Sequence, residues 1–158
     1  MMKKIFQTLI VSSTLMMSAM ATFAASPIVG YWKSIDDRTG EPLSLIEIKQ
    51  EKDGTYSGTI IHRYPNQGGH TLTTCAKCPE PFKDKPLVGL KILTGFTELA
   101  KKPGYYVNGK VVDAKSGGVY KGKANVSKNG RRLNMRGYIG VSLLGRSNVW
   151  VRSESATP

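Results

Sequence analysis

Turn-forming dipeptides that separate short alternating runs are the feature that most constrains this chain. Asp-Gly lies within 52–55, Gly-Gly within 115–118 and Asn-Gly within 128–131, each between runs in which apolar and polar residues alternate. Such dipeptides favour tight hairpin turns because they readily adopt positive backbone φ angles. Three of these turns predict antiparallel strands that follow one another in chain order.

About eight short strands are predicted, and no stretch after the N-terminal segment sustains a helical period. The expected strands are 28–33, 43–50, 55–62, 88–93, 105–112, 117–126, 131–139 and 146–152. The best helical candidate is Leu93–Lys102, for roughly one or two turns. The pattern predicts an all-β fold, a single antiparallel and mostly up-and-down barrel.

Alternation assigns the faces of two neighbouring strands. The residues expected to face inward are Tyr120, Gly122, Ala124, Val126, Leu133, Met135, Gly137 and Ile139. The basic residues expected on the outer wall are Lys121, Lys123, Arg132 and Arg136. Small inward residues, with Gly58 among them, either leave room for a ligand or let strands coil tightly through a small barrel.

The N-terminus has the three-part plan of a secretory signal peptide. Lys3 and Lys4 precede an apolar run, and small residues follow it at 21–26. A membrane anchor is the alternative, but the run is short and interrupted by polar residues. We predict a signal peptide over 1–24, with Ala21 as the alternative cleavage position, and one domain over 25–158. The mature protein is then periplasmic or secreted and is not an integral membrane protein.

The chain is basic, with 23 Lys and Arg against 11 Asp and Glu. In an exported protein this excess indicates contact with anionic envelope surfaces, or solubility alone. The residues expected to make this contact are Lys121, Lys123, Arg132 and Arg136. Nucleic acid is not an expected partner, because no module of stacking aromatic residues accompanies the charge.

One connection, residues 63–87, is too long for a hairpin turn. It contains four prolines and the only two cysteines, Cys75 and Cys78. Long loops in small domains are commonly lids or binding loops. Tyr64, His70 and Phe82 are therefore the candidates for ligand contact from this loop.

Three interpretations of the cysteine pair remain open. An oxidising compartment favours a structural disulfide that pins the long loop. A redox-active pair is the second, although no helix start is predicted at Cys75 to lower its thiol pKa. The third is a zinc site of His62, His70, Cys75 and Cys78, whose spacing matches no familiar zinc motif. We expect the disulfide, and no metal or other cofactor.

Asp36 and Asp37, with Glu41 and Glu47 nearby, are the candidates for paired carboxylates in acid–base chemistry. The surrounding sequence, Asp-Asp-Arg-Thr-Gly-Glu, is also typical of a solvated β-turn. No nucleophile elbow or phosphate-binding loop accompanies them. The residues therefore favour a turn, and the sequence gives no catalytic constellation.

Five ordered blocks resemble the small exported bacterial family catalogued as domain of unknown function 2147. The blocks are GYWKSIDDRTGEPLSLIEI, CAKCP, KPLVGLKIL, GKVVDAKSGGVYKGKA and MRGYIGVSLLGRSNVWVR. Together they cover nearly the whole predicted mature chain. The resemblance implies a lipocalin-like, or calycin, barrel and carries no activity with it.

Lipocalin-like barrels carry a G-x-W on the first strand and a basic residue on the last. Gly30 and Trp32 match the first element, and Arg152 is the best match to the second, with Arg146 as a rival. The resemblance implies that the indole plugs one end of the barrel while a guanidinium stacks across it. The long first loop of lipocalins is absent, so 63–87 is expected to cover the mouth.

These observations favour a binding module for a small apolar or amphipathic ligand, gated by the long loop. The first alternative is an interaction protein whose basic wall contacts anionic components of the cell envelope. The second is a redox or zinc protein centred on the cysteines. An enzyme is the least favoured class.

Overall fold

Tight turns between alternating runs close the chain into a barrel of eight antiparallel strands. The computed structural model describes residues 27–65 and 71–158, so the predicted leader and His70 lie outside the described residues. The strands are β1 (Gly30–Ile35), β2 (Pro42–Gln50), β3 (Tyr56–Arg63), β4 (Lys91–Glu98), β5 (Tyr105–Asp113), β6 (Gly118–Val126), β7 (Arg132–Tyr138) and β8 (Gly145–Ser153). Each strand pairs with the next and β8 pairs with β1, which confirms the predicted up-and-down barrel.

Side-chain oxygens stabilise four of the turns by accepting the backbone N–H two residues further on. The acceptors are Asp36, Asp53, Asp113 and Asn129, at 2.9, 2.9, 3.0 and 3.2 Å. The backbone N–H of Arg38 holds the pKa of the Asp36 carboxyl below its usual range. Asp36 therefore serves the β1–β2 turn, as its sequence context indicates.

Large side chains from β4 fill the space left by the small inward residues. The side chain of Leu93 lies over Gly58, and the ring of Phe96 lies over Gly122. Both large residues are about 1% exposed. Of the two interpretations of the inward glycines, the structure shows tight packing through the middle of the barrel.

A bulge in β4 explains why its helical prediction was wrong. Leu93 and Phe96 both lie in the core, three residues apart, which resembles a helical period. The spacing arises because Gly95 adopts a φ of +70° and the register with β3 shifts between Leu93 and Phe96. Residues 91–98 are strand, so the strand predicted at 88–93 was also placed too early.

Alternation is confirmed along β6 and for most of β7, where Ala124, Leu133 and Met135 are buried. The prediction for Ile139 was wrong, because its side chain is 69% exposed. β7 ends at Tyr138, and Ile139 belongs to the turn that follows. Within the described parts of the chain, no helix is long and apolar enough to span a bilayer.

The packing between β4 and β6 predicts a cost for enlarging Gly122. A Cβ atom there would lie 2.5 Å from Phe96 Cζ and 2.8 Å from Val111 Cγ2. We expect Gly122→Ala to lower the free energy of unfolding by about 1–3 kcal/mol, measured by urea denaturation. Gly137→Ala is the matched control, because its Cβ would meet Tyr120 at 3.4 Å. Equal effects of the two substitutions would contradict this account.

Candidate functional site

One end of the barrel is closed around Trp32. The indole is fully buried, and its Nε1 donates to the carbonyl oxygen of Ile28 at 2.8 Å. The guanidinium carbon of Arg152 lies 4.1 Å from the centroid of the indole ring. Arg152 is thus the arginine stacked on Trp32, whereas Arg146 lies near the other end of β8.

The Arg152 guanidinium also donates to three backbone carbonyl oxygens, which lie in two segments of the chain. Nε donates to Gly130 O at 2.7 Å, Nη1 donates to Val29 O at 3.1 Å, and Nη2 donates to Pro27 O. Burial lowers the pKa of this guanidinium. A Cβ at Gly30 would lie 2.8 Å from Nη1, which explains the glycine two residues before the tryptophan. This end therefore offers no entry for a ligand.

Polar side chains gather inside the opposite end, which we call the open end to distinguish it from the end that Trp32 closes. The strand registers place Ser34, Ser44, Arg63 and Asn148 on the inner face of β1, β2, β3 and β8. Arg63 Nη1 donates to Ser44 Oγ at 2.6 Å. Asn148 Nδ2 donates to the carbonyl oxygen of Ile35 at 2.9 Å. The polar residues thus occupy one continuous half of the opening.

Arg63 is the electrostatic centre of this polar half. Its side chain is half-buried, and burial lowers the pKa of its guanidinium. Nε is buried and has no hydrogen-bond acceptor among the described residues. No described carboxylate forms an ion pair with it. Because a buried cation without a counter-charge is costly, the arrangement is suited to receiving an anionic group.

The other half of the open end is apolar. Val111 and Tyr120 are cross-strand partners on the inner face of β5 and β6, and both are partly exposed. The Tyr120 hydroxyl lies 3.2 Å from Ser116 Oγ at the rim. The opening is therefore amphipathic, with a polar side and an aromatic-aliphatic side.

Two of the three residues predicted to contact a ligand from the long loop, Tyr64 and Phe82, lie in the described part of the chain. The ring of Tyr64 meets His62 edge-to-face at 4.8 Å and lies 5.6 Å from Lys33 Nζ, on the outer face of the barrel. Phe82 is partly buried against the hydrophobic cluster that contains Cys75 and Cys78. The ring of Tyr64 therefore lies outside the opening, and His70 lies outside the described residues.

The two cysteines form a disulfide, with Cα atoms 5.4 Å apart. The segment around them is folded: Cys75 N donates to Lys85 O at 2.9 Å, and Leu87 N donates to Thr73 O at 2.8 Å. With both sulfurs bonded, the thiolates that zinc requires are not available. No group of three or more potential metal-ligating side chains occurs in 27–65 and 71–158.

The disulfide segment packs against the outside of the barrel. Ile92 and Val112 face outward, yet they are only 8% and 6% exposed, so a segment outside the barrel covers them. The backbone of Lys77 lies directly against Gly117 in the β5–β6 turn. The described part of the segment thus covers the outer face of β4 and β5.

The basic residues predicted to contact anionic surfaces divide into two groups. Lys121, Lys123 and Arg132 face outward from β6 and β7. Arg136 instead donates to Ser142 O at 2.8 Å, Ser147 Oγ at 2.9 Å and Leu143 O at 3.1 Å. Its guanidinium is therefore engaged within the protein.

Sequence reasoning missed Ser34, Ser44, Arg63 and Asn148. A register shift between Leu45 and Ile46 brings Ser44 opposite Arg63, with Ile60 opposite Ile46. Simple alternation from Ile60 would place His62 inside and Arg63 outside. Alternation from the inward Trp32, Ile46 and Trp150 would have found Ser34, Ser44 and Asn148, so only Arg63 was hidden by the shift.

The closed eight-stranded barrel with a plugged end defines a lipocalin-like protein. A solved structure of protein HP1028 from Helicobacter pylori, described as belonging to the lipocalin family, superposes with a TM-score of 0.66. It is 17% identical and covers 82% of this chain and 85% of its own, so the likeness concerns fold. The chain belongs to the family described as uncharacterized protein conserved in bacteria (DUF2147), matched over residues 30–152. No curated protein matches the sequence.

The closed end generates a stability prediction. We expect Arg152→Ala to lower the free energy of unfolding by about 2–4 kcal/mol, since it removes the stacking on Trp32 and three hydrogen bonds. Arg146→Ala, the same substitution on the same strand, is expected to change it by less than about 0.5 kcal/mol. Urea denaturation followed by tryptophan fluorescence measures both. A similar loss in the two variants would contradict the closure.

We expect the disulfide to stabilise the loop around it more than the barrel as a whole. Replacing Cys75 and Cys78 by serine should lower the free energy of unfolding by at most about 2 kcal/mol, because the closed loop is short. Limited trypsin digestion should instead speed up at Lys77 and Lys83. Loss of the whole fold would show that the bridge supports the barrel and not only the loop.

Proposed function

We propose that this protein is an exported binding module that holds a small amphipathic molecule with an anionic head group at its open end. The observation that supports this proposal most directly is the environment of Arg63, a half-buried cation. Its Nε has no hydrogen-bond acceptor among the described residues, and no described carboxylate forms an ion pair with it. The lipocalin-like fold supports binding only in general terms, since folds host many functions.

The packing of the interior limits where such a ligand sits. Trp32 fills the closed end and Phe96 fills the middle, both essentially without solvent exposure. A ligand is therefore held near the rim rather than in a deep apolar pocket. Its size is correspondingly modest, because only the upper part of the barrel is available to it.

The two halves of the opening account for the amphipathic character of the ligand. An anionic group would accept hydrogen bonds from Arg63, beside Ser44 and Asn148, while an apolar group would lie against Val111 and Tyr120. Charge-assisted hydrogen bonds from a partly buried guanidinium are stronger than neutral ones. We therefore expect the affinity for a ligand to depend more on its head group than on its apolar chain.

Export is part of this proposal. The leader-like N-terminus supports it, and a disulfide is typical of oxidising compartments outside the cytoplasm. In this proposal the long loop supports the outer face of β4 and β5. A change in the loop would then act on the opening through the β5–β6 turn, where Lys77 and Gly117 meet.

Three probes that share one chain length test the ligand chemistry: dodecanoate, dodecanol and dodecylammonium. Titration calorimetry and native mass spectrometry should show dodecanoate binding most tightly. Arg63→Gln should weaken dodecanoate binding by about tenfold or more, consistent with the loss of a charge-assisted hydrogen bond, and should leave dodecanol nearly unchanged.

Arg132→Gln is the matched control, because it removes the same charge from an exposed outward position on β7. It should leave all three affinities unchanged. Equal binding of the anionic and cationic probes, or an effect of Arg132→Gln as large as that of Arg63→Gln, would overturn the assignment. Absence of binding by every probe would overturn the proposed site altogether.

A further inference from the structure

The turn between β7 and β8, residues 139–144, presents large aliphatic side chains to solvent. Ile139, Val141, Leu143 and Leu144 are 69, 62, 87 and 71% exposed. Single exposed apolar residues are ordinary on protein surfaces, but a contiguous group marks an interaction site. Hairpin turns favour Gly, Pro, Asn, Asp and Ser for backbone reasons. These preferences do not explain four aliphatic residues in one connection.

The protein holds this turn in a defined shape. The Arg136 guanidinium donates to the carbonyl oxygens of Ser142 and Leu143 and to the Ser147 hydroxyl. A Cβ at Gly145 would lie 2.7 Å from Tyr138 Cβ, so the glycine allows the strand to return closely. The aliphatic side chains are therefore displayed on a braced turn.

The strands that flank the turn carry only positive charge. From Ala114 to Ser153, a stretch that includes β6, β7 and β8, the chain has nine basic residues and no acidic one. Lys121 pairs across the sheet with Tyr138, which directly precedes the turn. Arg146 follows the turn and is exposed. An apolar tip flanked by basic residues is the pattern of surfaces that enter the interface of anionic membranes.

We propose that the 139–144 turn inserts into the interface of an anionic lipid bilayer, while Lys121, Lys123 and Arg146 contact its phosphate groups. A protein partner or a second copy could cover the apolar side chains alone. The unbroken positive charge of the flanking strands favours lipid, because it matches a negatively charged surface. The inference does not depend on a ligand at the open end.

Docking through this turn has a geometric consequence. The β7–β8 turn lies at the same end of the barrel as the β1–β2 and β5–β6 turns, which border the opening. The bound protein would therefore face the bilayer with its open end. A molecule leaving the membrane would meet the amphipathic opening directly.

Vesicle sedimentation tests the docking with the chain expressed with its own leader and purified after export. Vesicles of phosphatidylglycerol and phosphatidylethanolamine should bind the protein, and vesicles of phosphatidylcholine should bind it much less. The double variant Leu143→Ser, Leu144→Ser should reduce partition onto the anionic vesicles by at least about tenfold. Unchanged partition of this variant would overturn the proposal.

The matched control is Val149→Ser, Val151→Ser. These residues are each 42% exposed on the outer face of β8, and the control alters no charge. It should retain binding, and both double variants should keep the wild-type unfolding midpoint because the replaced side chains are exposed. If the control lost as much vesicle binding as the turn variant, binding would belong to the outer face of β8. That result would overturn insertion of the turn.

A second readout reports insertion itself. Leu143→Trp should show quenched, blue-shifted fluorescence on anionic vesicles that contain brominated lipid, over the background of the buried Trp32 and Trp150. Val149→Trp should show neither change. Charge reversal at Lys121 and Lys123 should abolish binding at moderate salt.

Self-association is the competing outcome. If sedimentation velocity shows a wild-type dimer that Leu143→Ser, Leu144→Ser converts to a monomer, and anionic vesicles bind neither form, the turn joins copies of the protein and the membrane proposal fails. Dodecanoate binding distinguishes this failure from that of the proposed ligand site. It should survive the turn substitutions and be weakened by about tenfold or more in Arg63→Gln.

Discussion

The stacking of Arg152 on Trp32 is the contact on which the barrel depends. Closing a sheet leaves two ends at which buried side chains would otherwise meet water. Here the indole fills one end, and the guanidinium above it ties together the backbone of the N-terminal segment and of the β6–β7 turn. One cation thus joins the first strand, the last strand and a turn between them.

A sealed end and a filled middle leave function to the other end. Phe96 occupies the centre of the barrel, so a solute meets first the ring of positions around Arg63, Val111 and Tyr120. Polar and apolar positions divide this ring because β1, β2, β3 and β8 lie on one side and β5 and β6 on the other. The same end carries the exposed 139–144 turn. Ligand capture and membrane contact would therefore share one face of the molecule.

Much of the fold was predictable because its causes are local. The turn residues set where the strands end, and alternation set the faces of β6 and most of β7. The prediction failed where a bulge changes the period: Gly95 in β4 mimicked a helix, and the shift at Ile46 hid Arg63 from the inner face. A bulge depends on how two strands pair, and neither strand specifies that pairing by itself.

The resemblance to lipocalin-like barrels implied the tryptophan that fills one end. The sequence by itself determined the all-β class, the strand order and the cysteine pair. These follow from backbone preferences and from side-chain chemistry within a few residues of one another. The tertiary structure decided that Arg152 rather than Arg146 meets Trp32, that the disulfide segment lies against the outer wall, and that Arg63 enters the opening. It also decided that Arg136 braces a turn. Each of these depends on barrel closure and strand register, which bring together residues far apart in the chain.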